Sequence, residues 1–263
     1  MADSSDDILK ISTENHVRLL TLNRPDVRNA LNDDLTDAIG NAIFEADDDS
    51  DIFLIAITGA GEKAFCSGAD LKVARDMADR GEPFRGPLRT VRRSLLEVMI
   101  DSRKPILGII NGPAIAGGFE LALACDLRVC SDTAFFAVPE AKRARGAHFA
   151  SVALPQMVPS AIAMEWLLTG RRVPVEEAQQ YGLLNRVVPF DRLMDEAMAF
   201  AAELTSSAPL SLQRLKITYR KTHGMSLTEG IRLDTGPDVY ASEDQVEGAR
   251  AFLEKRDPVW KNR

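Results

Sequence analysis

The sequence predicts an α/β fold with a helical C-terminal subdomain, and three observations carry that prediction. Short apolar runs alternate with segments of helical period over the first part of the chain. Two of those runs end in glycine-bearing loops, one of which opens straight into a helix. From Ser160 onward the pattern is mainly helical, as expected of a layered α/β unit followed by a separate bundle of helices.

In chain order, Ile8 to Thr13 and His16 to Leu22 read as strands around a turn at Glu14-Asn15. Asn32-Asp33 caps a helix reaching about Ala46, with Leu35, Ile39, Ala42 and Ile43 at helical spacing. After an acidic loop at Asp47 to Asp51, Phe53 to Thr58 is a continuous apolar run that reads as a buried parallel strand. Residues 88 to 101 form an amphipathic helix with Leu88, Val91, Leu95, Leu96 and Met99 on one face. Ile106 to Ile110 is a second buried strand, followed by a glycine-rich loop and the apolar helix Gly117 to Ala124. Leu127 to Cys130 and Ala134 to Val138 are further strands. Helices follow at Ala161 to Thr169, Val175 to Tyr181, Asp191 to Thr205, Pro209 to Lys221 and Ser242 to Lys255, with a subdomain boundary between residues 190 and 207.

Composition excludes several classes. The 263 residues carry a formal charge of −7, and a non-specific nucleic-acid binder would need a basic excess. The basic clusters Arg89, Arg92, Arg93 and Lys142, Arg143, Arg145 are either solvated faces or contacts to a phosphorylated ligand. No stretch reaches the roughly 18–20 apolar residues of a membrane span. The acidic Met1 to Lys10 has no signal core, so the expected location is the cytoplasm, with reduced thiols. Cys66, Cys125 and Cys130 lack C-x-x-C spacing, and His16, His148 and His223 are scattered, so no metal site is expected. Cys66 stands in a glycine-containing loop as a weak nucleophile candidate without a histidine partner. Gly59-Ala60-Gly61-Glu62-Lys63-Ala64 matches a dinucleotide-binding pattern, but the loop residues around Gly68 leave no room for a long helix behind it.

Two loops and two acids carry the chemistry. Phe65 to Asp70 and Asn111 to Glu120 are glycine-bearing and follow strands, and Gly117-Gly118 opens a helix whose first N–H groups are free. One N–H from each loop would make an oxyanion hole; the other reading is plain turn chemistry and close helix packing. Glu120 is the single charged residue between Gly117 and Cys125. It is either a desolvated carboxylate suited to proton transfer or a complement to the helix N-terminus. Glu140 follows Phe135 to Pro139 and either points into a cleft or is a solvated first-turn acid. Together they offer two carboxylates in different environments, an arrangement that supports acid–base work.

The chain resembles the crotonase superfamily of enoyl-CoA hydratases and isomerases from about Ile8 to Trp260. The segments that carry the resemblance are Thr21-Leu22-Asn23-Arg24-Pro25 with Asn29-Ala30-Leu31, then Ala64 to Lys72, Asn111 to Asp126, Pro139-Glu140, Leu167-Leu168-Thr169-Gly170 and Glu247-Gly248 through Ala251 to Arg256. The resemblance implies a spiral of ββα units over 1–200 and a helical trimerisation subdomain over 201–263, usually assembled as a dimer of trimers. It implies a CoA thioester whose carbonyl oxygen sits between the N–H groups of Ala69 and Gly117, and no metal or redox cofactor. Glu120 and Glu140 match both catalytic glutamates of the hydratases, Glu120 as base and Glu140 as acid. Arg28, Ala30, Gly68, Asp70, Lys72 and Gly118 fall on positions that line the CoA and thioester site, and Phe252 and Lys255 match residues lent by a neighbouring subunit.

The activity so implied is reversible hydration of a trans-2-enoyl-CoA. The alternatives are double-bond isomerisation, dehydration of a hydroxyacyl-CoA, thioester hydrolysis, or acyl-CoA binding without turnover. One segment departs from the hydratases. Where they run through a Gly-Leu-x-Pro-Gly stretch and a Gly-Gly-Thr, this chain reads Ala141 to Val152, about one residue shorter, with Arg143, Arg145 and His148. Those cations would lower the pKa of Glu140 if close, and His148 is otherwise a packing residue in place of glycine.

Overall fold

A computed structural model describes residues 8–70, 75, 79–81 and 94–263. Strands β1 (Leu9–Glu14) and β2 (Val17–Leu22) pair antiparallel, Leu9 opposite Leu22. Asn15 and His16 both take positive φ and close the hairpin in two residues, so His16 belongs to the turn rather than to the expected strand. Asn32 caps α1 (Asp33–Asp48) by accepting the Leu35 N–H at 3.1 Å. Next come β3 (Leu54–Gly59), α2 (Leu95–Asp101), β4 (Ile106–Ile110), β5 (Ala114–Ile115), α3 (Gly117–Ala124), β6 (Leu127–Ser131) and β7 (Phe135–Ala137). A capping box between Ser94 and Glu97 starts α2. The expected earlier part of that helix, with Leu88, Val91 and the cluster Arg89, Arg92, Arg93, lies outside the described residues.

The chain continues through a 3₁₀ turn (Pro139–Arg143), α4 (His148–Met157), α5 (Ser160–Thr169), β8 (Arg172–Pro174), α6 (Val175–Gln180), β9 (Arg186–Val188) and α7 (Leu193–Thr205). Helices α8 (Pro209–Thr222), α9 (Leu227–Gly230) and α10 (Glu243–Glu254) complete it. The large sheet has the order β1-β2-β3-β4-β6-β9, parallel at every pairing after the first. A second, short sheet has the order β5-β7-β8 and is prolonged by the bridges Leu31–Ala69 and Cys66–Ala114. Successive turns of the chain thus lay one strand in the large sheet and a short one in the second layer before a helix returns. This is the expected spiral of ββα units.

Every residue of β3 is buried, and its alternate side chains enter two cores. Ile55 and Ile57 join the cluster under α1, α2 and α3. Leu54 and Ala56 meet Leu107, Ile109 and Val129 beneath Leu193, Ala197 and Ala201 of α7. Burial on both faces is the reason the strand reads as an unbroken apolar run. Helix α7 spans the expected boundary at residue 200 and is part of this packing. Lys216 of α8 ties the tail to the core, bonding Asp126 at 2.8 Å and the Lys104 carbonyl at 2.8 Å. The rest of the tail leaves Leu215, Tyr219, Leu227, Ile231, Phe252 and Leu253 exposed. Among the described residues no helix is long and apolar enough to cross a membrane.

Candidate active site

The second layer brings the two glycine-bearing loops into contact. Leu31 donates its N–H to Gly68 at 2.8 Å and accepts that of Asp70 at 2.9 Å. In such a pairing the residue between points its own N–H the other way, and that of Ala69 meets no protein acceptor among the described residues. On the facing loop, Ala116 donates to Ala137 at 2.9 Å and its carbonyl accepts from Phe119 and Glu120, which starts α3 and leaves the Gly117 N–H free. Both glycines are required by contact. A Cβ at Gly68, whose φ is +85°, would lie 2.9 Å from the Ala116 Cβ and 3.0 Å from the Gly117 nitrogen. A Cβ at Gly118 would lie 2.1 Å from the Cys66 carbonyl oxygen. Ala116 itself sits at φ 56°, ψ −127°, a costly conformation for a residue with a side chain. Two free N–H groups, one from each loop, are therefore held close together by backbone contacts.

Arg24, which the sequence reading did not single out, braces this arrangement. Its guanidinium pairs with Asp70 at 3.0 Å and donates to the Ala30 carbonyl at 2.5 Å, both side chains being largely buried. Asp70 and Ala30, expected on the ligand site, are thus also parts of the brace. Arg24→Leu is expected to cost about 2 kcal/mol of stability in thermal melts, and Arg24→Leu/Asp70→Leu to recover part of that loss.

Glu120 lies one turn into α3, a helix buried from Gly118 to Ala124, and is itself 7% exposed. Its Oε1 accepts the N–H groups of Phe149 at 3.0 Å and Ala150 at 2.9 Å, in the first turn of α4. Burial raises its pKa, while those two bonds and the charge of His148 oppose the rise. Glu140 is the second residue of the 3₁₀ turn, half-buried, and its Oε2 is enclosed without a hydrogen-bond partner. Burial pushes its pKa up and the negative charge of Glu120 adds to the push, while a hydrogen bond from its own backbone N–H and the charges of Arg143 and Arg145 oppose it. The charge of Glu120 thus reaches Glu140, while the two carboxylates keep different hydrogen-bond partners and different neighbouring cations. Arg143 and Arg145 act on Glu140 as the sequence suggested. His148 does not: it is exposed at the start of α4 and bears on Glu120, so it neither packs in the core nor tunes Glu140.

Arg28 is exposed, with a left-handed backbone, and Ala30 is buried. Lys72 lies outside the described residues. Phe252, 83% exposed, and Lys255 stand at the C-terminal end of α10, with no hydrogen bond or ion pair to the two glutamates. Cys66 is fully buried and its thiol is pushed up to about 12, which removes it as a nucleophile. The Gly59–Gly61 loop cradles no phosphate, because two asparagines fill it. Asn29 donates to the Ala60 and Ala64 carbonyls, and Asn111 accepts from Gly59 and donates to the Gly61 carbonyl. Among the described residues no group of three or more His, Cys, Asp or Glu could hold a metal ion.

The family model described as enoyl-CoA hydratase/isomerase matches residues 12–263. A carnitinyl-CoA dehydratase of Salmonella enteritidis is 43% identical over 251 residues, 93% of this chain and 94% of that protein. One of Citrobacter koseri is equally similar, at 43% over 251 residues with the same coverage of 93% and 94%. Among solved structures, an enoyl-CoA hydratase from Mycobacterium tuberculosis H37Rv superposes with a TM-score of 0.87 at 31% identity, over 98% of this chain and 100% of that one. A probable enoyl-CoA hydratase/isomerase from Mycobacterium abscessus also gives 0.87, at 36% identity over 100% of both chains.

Proposed function

The chain belongs to the enoyl-CoA hydratase/isomerase family, and from that premise we propose that it adds water reversibly across the double bond of a trans-2-enoyl-CoA thioester. The observation that supports the reading is a pair of buried or half-buried carboxylates, close enough for the charge of Glu120 to act on Glu140 and differing in their hydrogen-bond partners. Glu120 accepts two N–H bonds, which favour its anion, and serves as the base. Glu140 has an enclosed oxygen with no partner and a negative neighbour, which favour its protonated form, and serves as the acid. Glu120 takes a proton from water as its oxygen bonds to C3. The electron pair of the double bond moves toward the thioester oxygen, where the N–H groups of Ala69 and Gly117 stabilise the charge. Glu140 then delivers its proton to C2. Charge and protons balance without a metal or redox cofactor, and CoA enters only as part of the substrate.

The same residues run in reverse would dehydrate a hydroxyacyl-CoA, a reading favoured by the 43% identity to carnitinyl-CoA dehydratases. Purified protein should bleach the enone absorbance of crotonyl-CoA, and the product should gain the mass of one water. A product of unchanged mass would mean isomerisation, free CoA would mean hydrolysis, and tight binding without turnover of either crotonyl-CoA or carnitinyl-CoA would sink the hydratase reading.

We also propose that the tail beyond α7 serves assembly into trimers or a dimer of trimers, with Phe252 and Lys255 completing a neighbour's ligand site. The exposed Phe252 and Leu253 on α10 support this. Phe252→Asp is expected to shift the protein toward monomer in sedimentation velocity and to raise KM.

A further inference from the structure

We propose that the first turn of α4 positions Glu120 for catalysis, holding Oε1 with two backbone N–H groups so that Oε2 alone handles the proton. The inference rests on the two-glutamate reading above and extends it to the backbone that holds Glu120. Helix α4 begins at His148, and its N-cap, Ala147, has no side chain to receive the unsatisfied donors of the first turn. Glu120 supplies the acceptor from another helix: its Oε1 lies 3.0 Å from the Phe149 nitrogen and 2.9 Å from the Ala150 nitrogen. Two converging donors from consecutive residues define the rotation of the carboxylate as well as its place. Oε2 accepts no protein hydrogen bond among the described residues, so its lone pairs are the ones left for a reacting water.

The same stretch of chain holds both acids. Glu140 stands at its start, the Arg145 N–H bonds the Glu140 carbonyl at 3.0 Å, and Ala144 turns the chain with a φ of 50°. Phe149 and Ala150 stand at its end. The loop between the 3₁₀ turn and α4 therefore sets how far apart the two carboxylates are held. This gives the unusual segment Ala141 to Val152 a positioning role in place of the glycine-rich run of the hydratases.

The test replaces a backbone N–H with an ester oxygen while keeping the side chain, by incorporating lactate at Ala150. The control is the matching ester at Ser151, whose N–H donates within α4 to Ala147 at 2.9 Å and does not touch Glu120. Glu120 is followed by pH-dependent infrared difference spectra of each protein against its own Glu120→Gln counterpart, and kcat and KM are measured on crotonyl-CoA from pH 5 to 9. The ester at Ala150 should raise the Glu120 titration midpoint by about one pH unit. It should move the acidic limb of kcat by the same amount and change KM less than twofold. The ester at Ser151 should lower the melting temperature and leave both titrations in place. Equal midpoints in the two esters would overturn the proposal. If the unaltered protein does not turn over crotonyl-CoA, the hydratase reading fails, and the infrared comparison still decides whether α4 governs Glu120.

Discussion

Glu120→Gln is expected to lower kcat for crotonyl-CoA hydration by about 10²–10⁴-fold, and Glu140→Gln by a similar factor, with little change in KM. Neither variant should unfold. A glutamine at position 120 keeps a carbonyl oxygen for the Phe149 and Ala150 N–H groups, so the first turn of α4 stays satisfied. Stability should in fact move the other way. Burial holds both carboxyls above their ordinary pKa of 4.5. Folding therefore tightens their hold on protons. As pH rises through the ordinary carboxylate range, the unfolded chain releases its protons first and the folded state loses ground. That loss is still present at neutral pH. The glutamine variants are free of it, so at pH 7 each should melt at or above the parent temperature, with the gap closing toward pH 4. A variant that loses activity because it melts far below the parent would contradict the assignment of these residues to chemistry.

Gly118→Ala is expected to cost about 3 kcal/mol or more and to abolish measurable turnover. The added Cβ would stand 2.1 Å from the Cys66 carbonyl oxygen, a contact between two backbones with no flexible side chain to give way. The loops must part, and the Gly117 N–H moves away from the position it shares with Ala69. Loss of one such donor alone is worth about 10²–10³ in rate. Ala116→Gly makes the contrasting case at the same loop. Its φ of 56° and ψ of −127° suit glycine, so this variant should be as stable as the parent or more so, by about 1 kcal/mol. Thermal melts beside steady-state rates distinguish the two outcomes.

The spiral was legible where burial leaves a strong mark. Strands β3 and β4 are covered on both faces and read as apolar runs, and α1 announced itself through its cap and its buried stripe. The short strands β8 and β9 were missed. Each has three residues, and β8 buries only Val173, so neither offers a period to read. Helix α4 was missed for a different reason: its cap comes from Glu120 rather than from its own sequence. Glu120 and Glu140 could be named from their apolar surroundings and the resemblance. That Arg24 braces Asp70 could not, because the partners are 46 residues apart and meet only through the bridge between Leu31 and Ala69. Likewise His148 looked like a neighbour of Glu140 by sequence, yet the turn of chain before α4 carries it to Glu120.

Cys66 stands in the first of the two loops that present the free N–H groups and packs against the second, with Cys125 and Cys130 equally buried. Burial pushes all three thiols up, so in the native state none is a ready nucleophile toward an alkylating reagent. Labelling must wait for the structure to open around each sulfur, and its rate then counts openings. The chain carries three internal clocks of local unfolding. The one at position 66 reports how often the oxyanion loops separate, in the presence or absence of a thioester, without any assay of the reaction itself.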